Sequence, residues 1–300
     1  MPPSKKRIAI PVVRAVAWIV GTLIVVTTAS HLFLEHVNRK HRELLNDPKA
    51  RITRIVQTGP QREALSTLCL TEILELSSDR PVPTVLFNAP KALRRLTSCP
   101  VIERAKVHVE KPNTLYIDYS TRQPIAWLYD YVDVGLDEKS ICFPVIPYFS
   151  PKKLPEIYLG LFEQPTPPSS LIWNQPLEDE RLKLAYTILQ LFSKSEAAIR
   201  RVDVSSAFAE SCGKRQVVLV IEENCRKILG EKERTFLQPI FLRLSVKNIH
   251  QELGNYNNLR KKLWDTVDFS LLSSQKGMSE YVLPPRTIDL RIEGLAFIQQ

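Results

Sequence analysis

The longest apolar stretch of the chain lies near its start, in residues 15–34, which read AVAWIVGTLIVVTTASHLFL. No Asp, Glu, Lys or Arg interrupts it, and about 20 such residues are what a helix needs to cross a bilayer. The pattern therefore predicts a transmembrane helix over 15–34. Residues 1–14 form a tail before it that carries Lys and Arg but no Asp or Glu, which favours a cytoplasmic amino terminus.

A cleaved signal peptide is the alternative, because Thr27 to Ala29 resemble a small-residue cleavage site behind a short apolar core. Apolar residues resume from Leu32 to Leu34, which favours a retained anchor. Basic residues also follow the span, so the charge rule alone leaves the orientation open. A long carboxy-terminal region, however, crosses a membrane regardless of such flanking charges. Both interpretations place most of the chain outside the cytoplasm, with residues 35–50 as a polar juxtamembrane stalk.

Residues 51–122 carry the pattern of a β-α-α-β-β unit. A short strand is predicted from Arg51 to Thr58, stopped by Gly59-Pro60. Two amphipathic helices follow, with apolar faces formed by Leu65, Leu68, Cys69, Ile73 and Leu76 in the first and by Ala89, Ala92, Leu93 and Leu96 in the second. Two alternating arms, 105–110 and 115–120, joined by a turn at 111–114, then predict a hairpin with one buried and one wet face, which the two helices would cover.

Residues 123–300 are predicted to form a mostly antiparallel β domain with flanking helices. Strands at 125–131 and 140–145 are expected to pair around the polar turn Asp137-Glu138. An amphipathic helix is predicted through Leu182, Ala185, Ile188, Leu189 and Phe192, and a second spans 257–267, with Leu259, Leu263 and Val267 inward. Further strands are expected at 199–205, 216–222, 239–246 and 287–298. The predicted fold class is therefore α+β.

Charge and cysteine content narrow the possible functions. The net charge of +9 arises from 41 basic and 32 acidic residues, but no basic-aromatic stripe repeats along the chain, so we expect a solvated basic surface and no nucleic-acid partner. None of the five cysteines forms a C-x-x-C pair, and no His stands at metal-ligand spacing from one. Cys212 and Cys225 are candidates for a bridge, and small buried hydrophobes are the alternative.

Motifs for catalysis are missing from the sequence. It contains no G-x-S-x-G, H-E-x-x-H, P-loop or G-x-G-x-x-G, and its five His are scattered. The acids of residues 177–181 resemble the start of a helix, where negative charge suits the dipole. We therefore expect a protein that is not an enzyme, with no catalytic residue, metal or cofactor.

The order of these features, together with local motifs, resembles the FtsQ/DivIB family of bacterial cell-division proteins. The strongest match has the form L…P-V…A-V…P-x-T-L-x-I-x-x-x-x-R-x-P-x-A-x-W, at Leu96, Pro100, Val101, Ala105, Val107, Pro112, Thr114, Leu115, Ile117, Arg122, Pro124, Ala126 and Trp127. Residues 288–291, IDLR, match the family's terminal v-D-L-R-y. The chain departs from the family at Thr121, where Glu is usual, and at Ile292, where an aromatic residue is usual.

This resemblance implies a POTRA-like domain at 51–122 and a non-enzymatic scaffold of the divisome in the cell inner membrane at the division septum. The implied partners are FtsB/DivIC-like and FtsL-like division proteins and components of septal peptidoglycan synthesis. The free N–H and C=O groups of an edge strand template another strand, so the last strand is the expected partner site. Its residues are Ile288, Asp289, Leu290, Arg291, Ile292, Glu293, Leu295 and Phe297.

Three alternatives stay open at this point. The charges of the last strand can instead protect a sheet edge from aggregation. Arg122, at the expected domain junction, can pair with a partner or with an acid of its own domain, while Pro124 is expected to set the turn between the domains. The other function classes are a POTRA-containing outer-membrane assembly or secretion factor, for which the chain lacks the strands of a barrel, and a membrane-tethered cell-wall hydrolase.

Overall fold

A computed structural model describes residues 9–60, 63–163, 172–193, 197–229, 232–267, 269 and 280–299. It has a mixed α+β fold with one long apolar helix near its start and a large, mostly antiparallel sheet, which confirms the predicted fold class at that level. The chain divides into two compact units. The first comprises Met1–Gln61, Ser66–Thr97 and Arg104–Ser120, and the second comprises Arg62–Leu65, Ser98–Glu103 and Thr121–Gln300.

The apolar segment belongs to one continuous helix, α1 (Ala9–Asn46). Within it, Arg14–Glu43 is long and apolar enough to span a membrane, and the side chains of residues 14–43 are exposed in the protein. The predicted span 15–34 lies inside this stretch, and the predicted stalk continues the same helix to Asn46. The Asp47 carboxylate then accepts a hydrogen bond of 2.8 Å from the Lys49 backbone N–H and caps a short 3₁₀ turn.

Beyond α1 and the 3₁₀ turn, the described part of the first unit contains a three-stranded sheet and two short helices. Its elements are β1 (Arg54–Thr58), α2 (Thr67–Ile73), α3 (Ala89–Ser98), β2 (Ile102–Glu110) and β3 (Thr114–Thr121). The strand order is β1-β3-β2, and β1 runs parallel to the central β3. The hairpin shows the predicted alternation, since Lys106, His108 and Glu110 are exposed while Leu115, Ile117 and Tyr119 are buried.

The predicted apolar face of the first helix is wrong in part. Leu68 is 80% exposed, whereas Leu70 and Leu74 are buried. The reason is that the stretch carries apolar residues at two sets of helical spacing, and the structure buries the set of Leu70 and Leu74, which are four residues apart. The Ser66 hydroxyl accepts a hydrogen bond of 3.1 Å from the backbone N–H of Cys69, so α2 begins at Thr67. In α3, Ala92 and Leu96 are buried as predicted.

The second unit contains a ten-stranded sheet and two longer helices within the described residues. The elements are β4 (Ala126–Leu128), β5 (Val134–Leu136), β6 (Cys142–Pro144), β7 (Glu156–Tyr158), α4 (Glu180–Phe192), β8 (Ala198–Asp203), β9 (Val217–Leu229), β10 (Lys232–Leu244), α5 (Ile249–Asp265), β11 (Glu280–Val282), β12 (Arg286–Asp289) and β13 (Phe297–Gln299). The strand order is β13-β12-β10-β9-β8-β7-β4-β5-β6, and β11 also pairs with β10.

The helices of this unit bury the faces that fill its core. In α4 the buried residues are Leu182, Ala185, Ile188 and Phe192, as predicted. Helix α5 begins at Ile249 rather than near Asn257, because Ile249, Leu253 and Tyr256 extend its apolar face. The charged Glu252 on this buried face interrupts the apolar pattern, so the sequence did not predict the first two turns of α5. The buried Glu252 carboxylate accepts a hydrogen bond of 2.7 Å from the Ser245 backbone N–H.

The predicted pairing of 125–131 with 140–145 is wrong. Strand β5 lies between β4 and β6 and pairs antiparallel with both, so the turn at Asp137 joins β5 to β6. Gly135 at the centre of β5 concealed this strand, because it adds no side chain to the alternation. A Cβ at Gly135 would lie 2.7 Å from the Val145 Cγ2 atom, so the close packing of the strand requires glycine.

The predicted last strand, 287–298, is also wrong as a single element. The chain forms β12, turns, and returns as β13, antiparallel to β12. Gly294 takes a positive φ of 74° in the turn, and the Leu295 N–H donates to the Ile292 carbonyl at 3.1 Å. Apolar and polar residues alternate only from Ile288 to Glu293, but residues 295–298 are all apolar, which fits a continued strand as well as a second one.

Candidate partner-binding edge

The inner edge of β12 is fully engaged by the sheet. It runs parallel to β10, in a register from Ile240↔Arg286 to Arg243↔Asp289. Just beyond it, the Leu290 N–H donates to the Arg243 carbonyl at 3.0 Å. Partner pairing on this side of β12 would therefore require β10 to be displaced.

The side chains of β12 and of the residue after it anchor the strand to the core. Ile288 is 0% exposed and Leu290 is 5% exposed, and both belong to the main core of the unit. Arg286 is buried, and its Nη1 donates to the Leu263 carbonyl at 3.3 Å, near the end of α5. A cation at a helix carboxyl end complements the helix dipole. The predicted inward residues are thus in place, and they serve packing.

Asp289 and Arg291 form a local ion pair. The Arg291 Nη2 lies 2.7 Å from the Asp289 Oδ2, and the Arg291 backbone N–H donates to the Asp289 Oδ1 at 3.1 Å. The hydrogen bond from the guanidinium lowers the pKa of the Asp289 carboxyl, and the same contact raises the pKa of Arg291. These two charges therefore stabilise the exit from β12.

The outer edge of β12 is occupied by β13. The register pairs Thr287 with Gln299, Ile288 with Ile298 and Asp289 with Phe297. The predicted strand residues are consequently divided: Ile288 and Asp289 lie in β12, Leu290, Arg291, Ile292, Glu293 and Leu295 in the connection, and Phe297 in β13. The end of the described sheet is β13.

Open cavities flank the connection and β13. One, of about 790 Å³, is lined by Phe208, Lys247, Asp289, Ile292 and Phe297 among others. A second, of about 310 Å³, is lined by Leu259, Lys262, Leu290 and Leu295 among others. Phe208 lies in a turn without periodicity, so the sequence pattern gave no signal for it. The cavities give this end of the sheet an apolar, accessible surface with basic neighbours.

Arg122 lies in a buried ion pair with Asp137. Its Nη1 is 2.9 Å from the Asp137 Oδ2, and the two side chains are 8% and 10% exposed. Its Nε donates to the Pro100 carbonyl at 2.9 Å. The Asp137 Oδ1 accepts from the backbone N–H groups of Lys139 and Ile141, each at 2.9 Å. Arg122 was expected to pair either with a partner protein or with an acid of its own domain. In the structure it pairs with Asp137, which belongs to the same unit.

Pro124 is buried just before β4, and the next N–H along the chain, that of Ile125, donates to the Leu136 carbonyl at 2.9 Å. A Cβ placed at Gly135 would lie 3.2 Å from the Pro124 Cβ. Proline has no N–H to satisfy and a fixed φ, so it suits this entry to β4. Its predicted role in a turn between domains stays a prediction.

A buried polar network that sequence analysis missed lies between β9 and α5. The Tyr256 hydroxyl donates to the Glu223 Oε1 at 2.6 Å, and the Arg260 Nε donates to the Glu223 Oε2 at 2.6 Å. Burial, reinforced by the Glu223 charge, raises the pKa of Tyr256. Tyr281 is buried against Phe236 in a separate cluster. Tyr256 and Tyr281 are therefore core residues, and the polar network holds α5 behind the sheet.

Within the described ranges, no group of three or more His, Cys, Asp or Glu is placed to hold a metal ion. All five cysteines lie in those ranges, and Cys212 and Cys225, the predicted candidates for a bridge, are not bonded to each other. Cys142 is buried, and burial raises the pKa of its thiol to about 12. Cys212, by contrast, is exposed. The thiols therefore differ widely in their access to solvent.

Comparison with protein-family models finds no model that matches the chain, and comparison with curated proteins finds no match either. The functional interpretation accordingly depends on the order of the chain's elements and on the geometry of the β12–β13 edge.

Proposed function

We propose that the chain is a membrane-anchored, non-enzymatic scaffold of the bacterial division machinery, of the FtsQ/DivIB kind. The observation that carries the proposal is the order of its elements. One helix long enough to span a membrane is followed by a β-α-α-β-β unit, and the chain then ends its large sheet with β12 and β13. This is the order that the family resemblance implies.

In this proposal α1 is retained as the anchor and the remainder lies outside the cytoplasm. The first unit is the POTRA-like module. The second unit offers the β12–β13 edge to an FtsB/DivIC-type partner, which binds together with an FtsL-type protein. Main-chain hydrogen bonds would supply affinity, and the side chains around the edge would supply specificity. The scaffold thereby recruits components of septal peptidoglycan synthesis.

The contacts of Arg122 support a structural role for the family's arginine. It is held by Asp137 and by the Pro100 carbonyl, so its charge is satisfied within the second unit. The charges of Asp289 and Arg291, beside the edge, are likewise satisfied by their pairing with each other. Partner binding in this account uses strand pairing and apolar contacts, since these local charges are already engaged.

Depletion of the chain from its own cells tests the proposal. We expect long filaments that lack labelled septal peptidoglycan, and rescue by the full chain. A chain shortened to end at Pro285 should not restore septa, since it lacks both the edge and the core residues Ile288 and Leu290. Normal septa, together with accumulating outer-membrane protein precursors, would overturn the proposal in favour of a POTRA-containing assembly factor.

A further inference from the structure

We infer that β13 is a displaceable strand that closes the outer edge of β12 until an extended segment of the partner takes its place. This inference rests on the proposed function and adds that β13 competes with the partner segment for the outer edge of β12. The partner-binding strand is β12, and the free protein holds it covered.

The small contact surface of β13 is the first observation. It has three residues, Phe297 to Gln299, and all three are exposed. On its partner β12, in contrast, Ile288 lies in the core, as does Leu290 directly after the strand. Segments with few buried apolar contacts open locally at low free-energy cost, well below that of global unfolding.

The connection to β13 is the second observation. Ile292 and Leu295 are both more than half exposed, and they border the cavities of about 790 and 310 Å³ on the two sides of the connection. Gly294 supplies a turn in the left-handed region. Open space on both sides leaves residues 292–296 free to move with β13, while Leu290 and the Asp289–Arg291 pair stay in place.

The independence of β12 is the third observation. It keeps its pairing with β10, the Leu290–Arg243 hydrogen bond and the Arg286 contact with α5 when β13 leaves. Opening β13 therefore exposes a strand that is already in place, with its outer N–H and C=O groups ready for pairing.

The residues around β13 indicate which side chains the segment that replaces it should carry. Phe297 lies opposite Asp289 and lines the larger cavity together with Phe208. We expect the incoming strand to place a large apolar side chain at the position of Phe297. The cavity has room for a longer apolar segment than the three residues of β13 provide.

Binding of the purified extracytoplasmic segment of the FtsB/DivIC-type partner, measured with the full chain in nanodiscs, tests the inference. Two changes weaken β13: a chain that ends at Glu293, and Ile298→Pro, which removes a backbone donor. Both should bind the partner roughly tenfold more tightly than the unaltered chain, because the competent state is no longer a minor population. Ile298→Val is the matched control and should bind like the unaltered chain.

A cross-strand disulfide tests the opposite change, in which β13 is fixed to β12 instead of weakened. Thr287 and Gln299 lie opposite each other, so Thr287→Cys with Gln299→Cys should lock β13 in place when oxidised. Partner binding should then fall at least about tenfold and return on reduction. The single variant Thr287→Cys controls for the native thiols and should show no such dependence on reductant.

The outcomes separate the two proposals. If the unaltered chain and the chain ending at Glu293 bind equally well, or if the locked chain binds normally, the inference is wrong while the scaffold function stands. If neither the unaltered chain nor the chain ending at Glu293 binds, the proposed strand pairing fails and the inference fails with it.

Discussion

Ile288 of β12 lies directly opposite Ile298 of β13, yet the first side chain is 0% exposed and the second is 46% exposed. The same sheet edge thus combines a strand that belongs to the core with one that covers it from outside. This difference in burial is the physical basis for treating β12 as the permanent part of the edge and β13 as the removable part.

The buried ion pair predicts a large stability loss at Arg122. Arg122→Met should lower the free energy of unfolding of the second unit by about 3 kcal/mol, because it leaves the Asp137 charge buried without its cation. Chemical denaturation of the full chain in detergent measures this. The matched control is Arg200→Met, which breaks a half-exposed pair with Glu222 and should cost less than about 1 kcal/mol. Equal losses at the two sites would contradict the assignment.

Close packing at Gly135 predicts a second destabilising substitution. Gly135→Ala places a methyl group 2.7 Å from the Val145 Cγ2 and 3.2 Å from the Pro124 Cβ, so we expect a loss of about 1–3 kcal/mol in the free energy of unfolding. Gly254→Ala is the control, since it lies in α5 with nothing within 4 Å of the new methyl. It should stabilise the chain by about 0.5–1 kcal/mol. Thermal and chemical unfolding of both variants check the contrast.

The lowered pKa of Asp289 predicts acid sensitivity. Because the folded-state pKa is below that of the unfolded chain, the pair with Arg291 contributes stability above the unfolded value of about 4. This contribution is lost as the pH falls through the lower, folded-state pKa. Denaturation curves collected from neutral pH down to about pH 3 should therefore show a smaller acid-dependent loss in Asp289→Asn than in the unaltered chain. An identical pH dependence in both would contradict the role of this pair.

The environments of the thiols predict selective labelling. Cys142 should resist alkylation of the native protein at pH about 8, because burial raises its pKa to about 12. Exposed Cys212 should react quickly. Mass spectrometry after a short exposure to iodoacetamide identifies the labelled sites, and Cys212→Ser should remove the fastest reaction. Rapid modification of Cys142 in folded protein would show that its strand is not packed as described.

The sequence predicted the elements with strong periodicity and missed those whose signal is local. The faces of α4 and the alternation in β3 follow directly from spacing. In contrast, β5 was hidden by Gly135, and the start of α2 depends on the Ser66 cap rather than on the apolar period. A single capping hydroxyl sets the residue at which a short helix begins, which apolar periodicity alone does not reveal.

The partner site that the sequence predicts at the last strand stays a prediction, but the arrangement of that strand was only partly foreseen. The IDLR motif correctly indicated a strand at Ile288 and Asp289, while the turn at Gly294 and the return of β13 were missed. The alternation ends at Glu293, but the apolar run 295–298 fits a continued strand as well as a second one, so the pattern alone did not distinguish one strand from two. The covered edge is a tertiary relationship, set by β12 pairing on both sides.

Hydrogen exchange of the full chain in nanodiscs, with and without the FtsB/DivIC-type segment, shows directly whether the partner pairs with β12. We expect saturable binding, with new protection concentrated in β12 and with the β13 amides becoming more exposed. Absence of binding, or protection confined to surfaces away from residues 286–299, would contradict the assignment of this edge as the partner site.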